Sequence, residues 1–110
     1  MLKDYKLYLD DILDAIRWIE KYTKGLSYSQ FIQRKIVSDA VIKNLEIIGE
    51  AVKRLPLDVK MLHPEVDWKK IAGFRDILIH EYAAVDLSIV WDVVKNKLPS
   101  LNQLVKKIKK

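Results

Sequence analysis

The chain has 110 residues, enough for one domain spanning 1–110 and too few for a second core. Half of the residues are hydrophobic and 32% are charged, which excludes a disordered chain, and no apolar run reaches the length of a bilayer span. Lysine and arginine outnumber aspartate and glutamate by 20 to 15; the net charge of +5 suits a polyanionic partner such as RNA, although four of the last five residues are lysine and a solvated tail is the commoner explanation of such a terminus.

Charged residues interrupt the first eleven positions where a secretory segment would be continuously apolar, and there is no cysteine, so the expected location is the cytoplasm. Three glycines and three prolines are the only strong punctuation, and the segments between them repeat with helical period. The expected fold is all-α, a bundle of four main helices with a short fifth. In the first helix Leu2, Tyr5, Leu9, Ile12, Ile16 and Ile19 form one stripe, closed by Lys24 and Gly25. Trp18 and Tyr22 lie off that stripe, where they either widen the core face or cover a second interface.

The second helix is expected from Ser29 to Leu55, stopped by Pro56, with Ile36, Val37, Ala40, Val41, Leu45, Ile48, Ala51, Val52 and Leu55 on its apolar face. Asn44 falls within that face, and its buried amide needs a partner, on a neighbouring helix or, as the lesser reading, in a site. Gly49 costs about 1 kcal/mol relative to alanine in mid-helix, which points to a close helix approach. Residues 57–66 read as a connector or a turn of helix. Asp67 caps a third helix starting at Trp68, with Ile71, Phe74, Leu78 and Tyr82 on its apolar side. Asp86 caps a fourth, with the stripe Leu87, Val90, Trp91, Val94, Leu98, Leu101, Val105 and Ile108. Pro99 interrupts that stripe without changing its phase, so a kink is expected there.

Most catalytic signatures are missing: there is no phosphate loop, and the two histidines are too far apart for a metal-ligand pair, so neither a metal nor a cofactor is expected. What remains is the stretch from Gly73 to Tyr82. On a helix His80 lies about 180° from the Ile71 and Leu78 stripe, one turn after Asp76, which either pairs with it or holds Arg75. Arg75 is about 140° around the helix from His80, so the two meet only at a frayed end, by the reach of the arginine, or across a twofold axis. RNA cleavage without a metal needs a base, an acid and a cation for the phosphate. One chain offers one suitable histidine, whereas a homodimer offers two histidines and two arginines.

These residues carry a resemblance. Arg75, Asp76, His80 and Tyr82 form an Arg, four residues, His, one residue, Tyr pattern. With Asn44 to Ala51 (including Glu46, Gly49 and Glu50), Trp68 to Arg75, and Val85, Asp86, Trp91, Leu98 and Pro99, the chain resembles the HepT-like branch of the HEPN superfamily. The resemblance implies a helical homodimer with an interface cleft in which Arg75 and His80 are catalytic, supported by Asp76. It implies an endoribonuclease toxin of a toxin–antitoxin pair, of the type II or VII kind, paired with a minimal nucleotidyltransferase antitoxin. That partner would neutralise it by AMP transfer to Tyr82; the residue reading of Tyr82 is a half-buried core aromatic. Ala83 departs from the branch, which often carries a bulky aromatic there. The alternative is a HEPN module that binds nucleotide or RNA beside the nucleotidyltransferase and cuts nothing.

Overall fold

A computed structural model describes residues 4–110, and every regular element among them is helical. Helix α1 (Lys6–Thr23) buries Leu9, Ile12, Ile16 and Ile19 completely, as the stripe predicts; Leu2 lies outside the described residues. Gly25 follows its end at φ +75°, a left-handed conformation that glycine adopts without Cβ strain. Trp18 and Tyr22 stack on each other at 5.9 Å on the exposed flank.

The expected second helix is two. Helix α2 (Tyr28–Gln33) begins at a reciprocal cap between Ser27 and Gln30, and Arg34 then leaves the helical region (φ −105°, ψ 87°) before α3 (Lys35–Arg54) starts. The short α2 buries Phe31 with its ring 5.0 Å from that of Trp91, bringing apolar area and an aromatic pair to the break. Two expectations on α3 are corrected. Ile36 is 86% exposed and not on the apolar face, because at 100° per residue it lies about 180° from Leu45. The Asn44 amide donates to the Ala40 carbonyl of its own helix (2.9 Å), so its partner is the preceding turn and not a neighbouring helix. Of the remaining stripe, Val41, Leu45, Ile48, Ala51, Val52 and Leu55 are buried, and Val37 and Ala40 are half-buried.

Helix α4 (Leu57–Leu62) fills the connector, and the Trp68 indole N–H donates to the carbonyls of Lys60 and His63, tying the connector to the next helix. Asp67 caps α5 (Trp68–His80) by accepting the Lys70 N–H at 3.1 Å. A 3₁₀ turn (Tyr82–Ala84) follows, so Tyr82 lies beyond the helix whose apolar side it was expected to join. Asp86 caps α6 (Leu87–Asp92), which continues through a π-helical stretch (Val93–Lys97) into α7 (Leu98–Lys109). The irregularity thus lies just before Pro99, where a kink was expected, and takes the form of a π-helical stretch ending at Lys97. It leaves the proline in the first turn of α7, where its missing N–H costs little, and Val90, Val94, Leu98, Leu101, Val105 and Ile108 stay in phase and buried.

Helix α3 is the common neighbour of α1 and α5, while α7 packs on α1. The architecture is an all-α bundle of four main helices, counting α6 to α7 as one, with short α2 and α4. No helix among the described residues is long and apolar enough to cross a membrane.

Candidate functional site

The seam between α3 and α5 is built around an absence of side chain. A Cβ on Gly49 would stand 2.2 Å from the Arg75 Cβ, so glycine is what lets α5 lie this close. Lys53, near the end of α3, meets Asp76, whereas Asp39 and Lys35, at its start, meet Tyr82 just past the end of α5, so the two helices run antiparallel.

Arg75 is held at this crossing. Its Nη2 pairs with Glu50 Oε1 at 3.0 Å, its Nη1 donates to Asp76 Oδ1 at 3.1 Å, and its buried Nε has no hydrogen-bond partner among the described residues. Each carboxylate is shared with a second cation: Glu50 Oε2 accepts from Arg54 Nε at 2.9 Å, and Asp76 accepts from Lys53 Nζ at 2.6 Å. Arg54, Glu50, Arg75, Asp76 and Lys53 thus alternate in sign, and three cations against two carboxylates leave one positive charge. Lys53, and after it Arg75, holds the Asp76 carboxyl below its ordinary range, while Glu50 and then Tyr8 favour the charged form of Arg54. Each terminal nitrogen of Arg75 carries a second N–H, which gives the planar fork that suits phosphate oxygens.

His80 is the last residue of α5, exposed and without a hydrogen-bond partner among the described residues. Of the two expected roles of Asp76, the structure displays the hold on Arg75; its hydrogen bonds go to Lys53 and Arg75, and none reaches His80. Within one chain, therefore, Arg75 and Asp76 are brought together and His80 stands apart. Tyr82 is 47% exposed and not a core aromatic: its hydroxyl donates to Asp39 Oδ1 at 2.6 Å and lies 3.4 Å from Lys35 Nζ, which also sits over its ring. Lys35, Asp39, Lys53 and Arg54 were not predicted, and Glu50 only as part of a family block. The one local sign of them is the spacing of four in Lys35/Asp39 and Glu50/Arg54, which also fits ordinary surface pairs.

The model of the family "Ribonuclease HepT-like" matches residues 12–108, a stretch that contains all of these residues except Tyr8. The chain belongs to the HepT-like ribonuclease family. It is 44% identical over 110 residues to a "Probable ribonuclease HepT" of Thermococcus cleftensis, covering 100% of both chains. To a "Gamma-glutamylcyclotransferase and putative RNase" of Methanocaldococcus jannaschii it is 45% identical over 108 residues, 98% of this chain and 49% of that protein, so it spans about half of that relative's length. A "Putative RNase" of Caldanaerobacter subterraneus is 40% identical over 107 residues, 97% of this chain and 96% of the relative. No solved structure matches the chain. The HepT-like family thus joins a ribonuclease reading to a chain whose exposed histidine and anchored arginine share one helix.

Proposed function

We propose that this chain is a metal-independent endoribonuclease whose active site forms between two copies, with Arg75 and His80 of each as the catalytic residues. The observation that carries the reading is the contrast on α5: a cation fixed by two carboxylates, and five residues later an exposed imidazole with no hydrogen-bond partner among the described residues. One histidine takes the proton from the RNA 2′-hydroxyl as that oxygen attacks the adjacent phosphorus. The bond from phosphorus to the 5′-oxygen breaks, and the second histidine, protonated, gives its proton to the leaving oxygen. The products are a 2′,3′-cyclic phosphate and a 5′-hydroxyl, and the two arginines stabilise the charge on the phosphoryl oxygens.

A second copy supplies the second histidine, and the surface around His80 favours covering by one. Ile77 and Ile79 flank it exposed, and Ile36 stands out from the first turn of α3, next to the lysine that meets Tyr82. In the cell this enzyme is the toxin of a pair whose antitoxin is a minimal nucleotidyltransferase. That partner transfers AMP to Tyr82: the phenolic oxygen bonds to the α-phosphorus of ATP and pyrophosphate leaves. The exposed hydroxyl and its carboxylate acceptor at Asp39 support the reading, and the added phosphate beside His80 repels RNA.

The test is incubation of the protein with total RNA and tRNA in EDTA beside its His80→Ala variant, with analysis of fragment ends and sedimentation of both proteins. Cleavage that persists in EDTA, leaves cyclic phosphate ends and is lost in a folded, dimeric variant is the expected result. A folded, unmodified parent that binds nucleotide or RNA and cleaves nothing is instead a non-catalytic binding partner of the nucleotidyltransferase.

A further inference from the structure

We infer that Glu50 is the positioning residue of this site, the group on α3 that fixes the Arg75 guanidinium in the orientation that meets phosphate. The inference rests on the ribonuclease reading and adds a residue that the Arg and His pattern does not contain. Among the described residues Arg75 has two holds on its guanidinium, Asp76 on Nη1 and Glu50 on Nη2, while Nε has none. Asp76 is the next residue on the same helix and moves with Arg75. Glu50 comes from α3 and holds the guanidinium directly from there, whereas the tie of Asp76 to α3 runs through the flexible Lys53 side chain. Glu50 is itself held, because its other oxygen accepts from Arg54 Nε at 2.9 Å, and Gly49 beside it sets the distance between the helices.

Electrostatics and geometry agree. A guanidinium with one fixed edge keeps its outer N–H groups in a constant direction, and preorganised donors cost no reorganisation when charge develops on the phosphate. Removing the fixed edge leaves the cation in place and frees its torsions. The Glu50 side chain is 40% exposed and borders an open hollow of about 340 Å³ that Tyr8, Asp11, Ile47 and Arg54 also line, so truncating it opens no void in the core.

The experiment compares the parent with Glu50→Ala, Glu50→Gln, Arg75→Ala and the Arg75→Ala/Glu50→Ala double variant in single-turnover RNA cleavage, with thermal melting of each. In parallel, the Arg75 Nε–H signal is followed by NMR in the parent and both Glu50 variants. Glu50→Ala is expected to lower the rate constant about 10- to 100-fold with little change in the RNA concentration giving half-maximal rate. Glu50→Gln, which keeps an acceptor oxygen, recovers part of the rate. Because Glu50 acts through Arg75, adding Glu50→Ala to Arg75→Ala lowers the residual rate no further. The Arg75 signal shifts and broadens in Glu50→Ala. Parent-like cleavage by both Glu50 variants, or a full extra loss in the double variant, overturns the inference. Should Glu50→Ala melt early, Glu50→Gln decides alone, and a parent-like rate and Arg75 signal there overturn it. A parent that cleaves no RNA removes the ribonuclease reading, and the NMR comparison then decides whether Glu50 fixes Arg75.

Discussion

The middle of α5 and its C-terminal end are built on opposite plans. Around Arg75 the helix lies against α3 with no side chain on Gly49 to separate them, and every charge is matched to a neighbour of opposite sign. Five residues later His80 closes the helix in solvent with no hydrogen-bond partner among the described residues. The difference separates two duties. A group that must present a constant positive field is best locked by its own fold. A group proposed to take and give protons at a substrate gains from lacking a competing partner that would occupy its nitrogens.

The comparison is broken most directly by removing each side chain in turn. His80→Ala and Arg75→Ala are both expected to lower RNA cleavage by about 10²- to 10⁴-fold, the range for loss of an acid–base group or a donor to developing charge. Their stabilities should part. An exposed side chain without a hydrogen bond leaves the melting temperature nearly unchanged in His80→Ala, whereas Arg75→Ala strips a shared cation from Glu50 and Asp76 and costs about 1–3 kcal/mol. Thermal melts of the two variants measure this. Equal destabilisation would mean that His80 is as structural as Arg75, and the division of duties would fail.

Much of this molecule can be read from residue pattern, for reasons that differ along the chain. The stripes of α1 and of α6 to α7 are one-sided and long, and both caps at Asp67 and Asp86 are local hydrogen bonds that sequence spacing states directly. Arg34 is different. It is neither glycine nor proline, and the break there accompanies the burial of Phe31 against Trp91, sixty residues away in sequence, which no local pattern records. The site divides in the same way. Arg75, Asp76 and His80 stand in one short motif, but Glu50 and Lys53 matter because α3 runs antiparallel to α5 at the Gly49 crossing. Asn44 shows the limit from the other side: its position on an apolar face was read correctly, and its partner was found four residues back.

The two helical glycines sharpen the contrast at the level of backbone. Gly49→Ala gains up to about 1 kcal/mol of helix propensity. It also drives a methyl to 2.2 Å from the Arg75 Cβ, an overpacking that costs about 1–3 kcal/mol and displaces α5. A lower melting temperature and slower cleavage are expected together. Gly73→Ala meets nothing within 4 Å on α5 and should raise the melting temperature by the same propensity gain. Chemical denaturation of both variants checks the pair, and a stabilised Gly49→Ala would show that the crossing is looser than its geometry.

The smallest expected effect lies at the Tyr82 end and is read by titration. The Tyr82 hydroxyl, and after it Lys35, holds the Asp39 carboxyl below its ordinary value. A carboxyl lowered on folding adds stability above its unfolded pKa, and that contribution is lost as pH falls through the folded value. Tyr82→Phe removes the first of these causes, so the Asp39 midpoint moves up towards the ordinary carboxylate range, and Lys35 keeps part of the shift. The Asp39 side-chain carboxyl carbon, followed by NMR from neutral to acid pH, reports that midpoint without reference to activity. The same titration on AMP-modified protein extends the argument, because an esterified phenolic oxygen cannot donate. If Asp39 titrates alike in parent and Tyr82→Phe, its carboxylate is not the acceptor that holds the tyrosine, and the support it gives to Tyr82 as the modified residue is withdrawn.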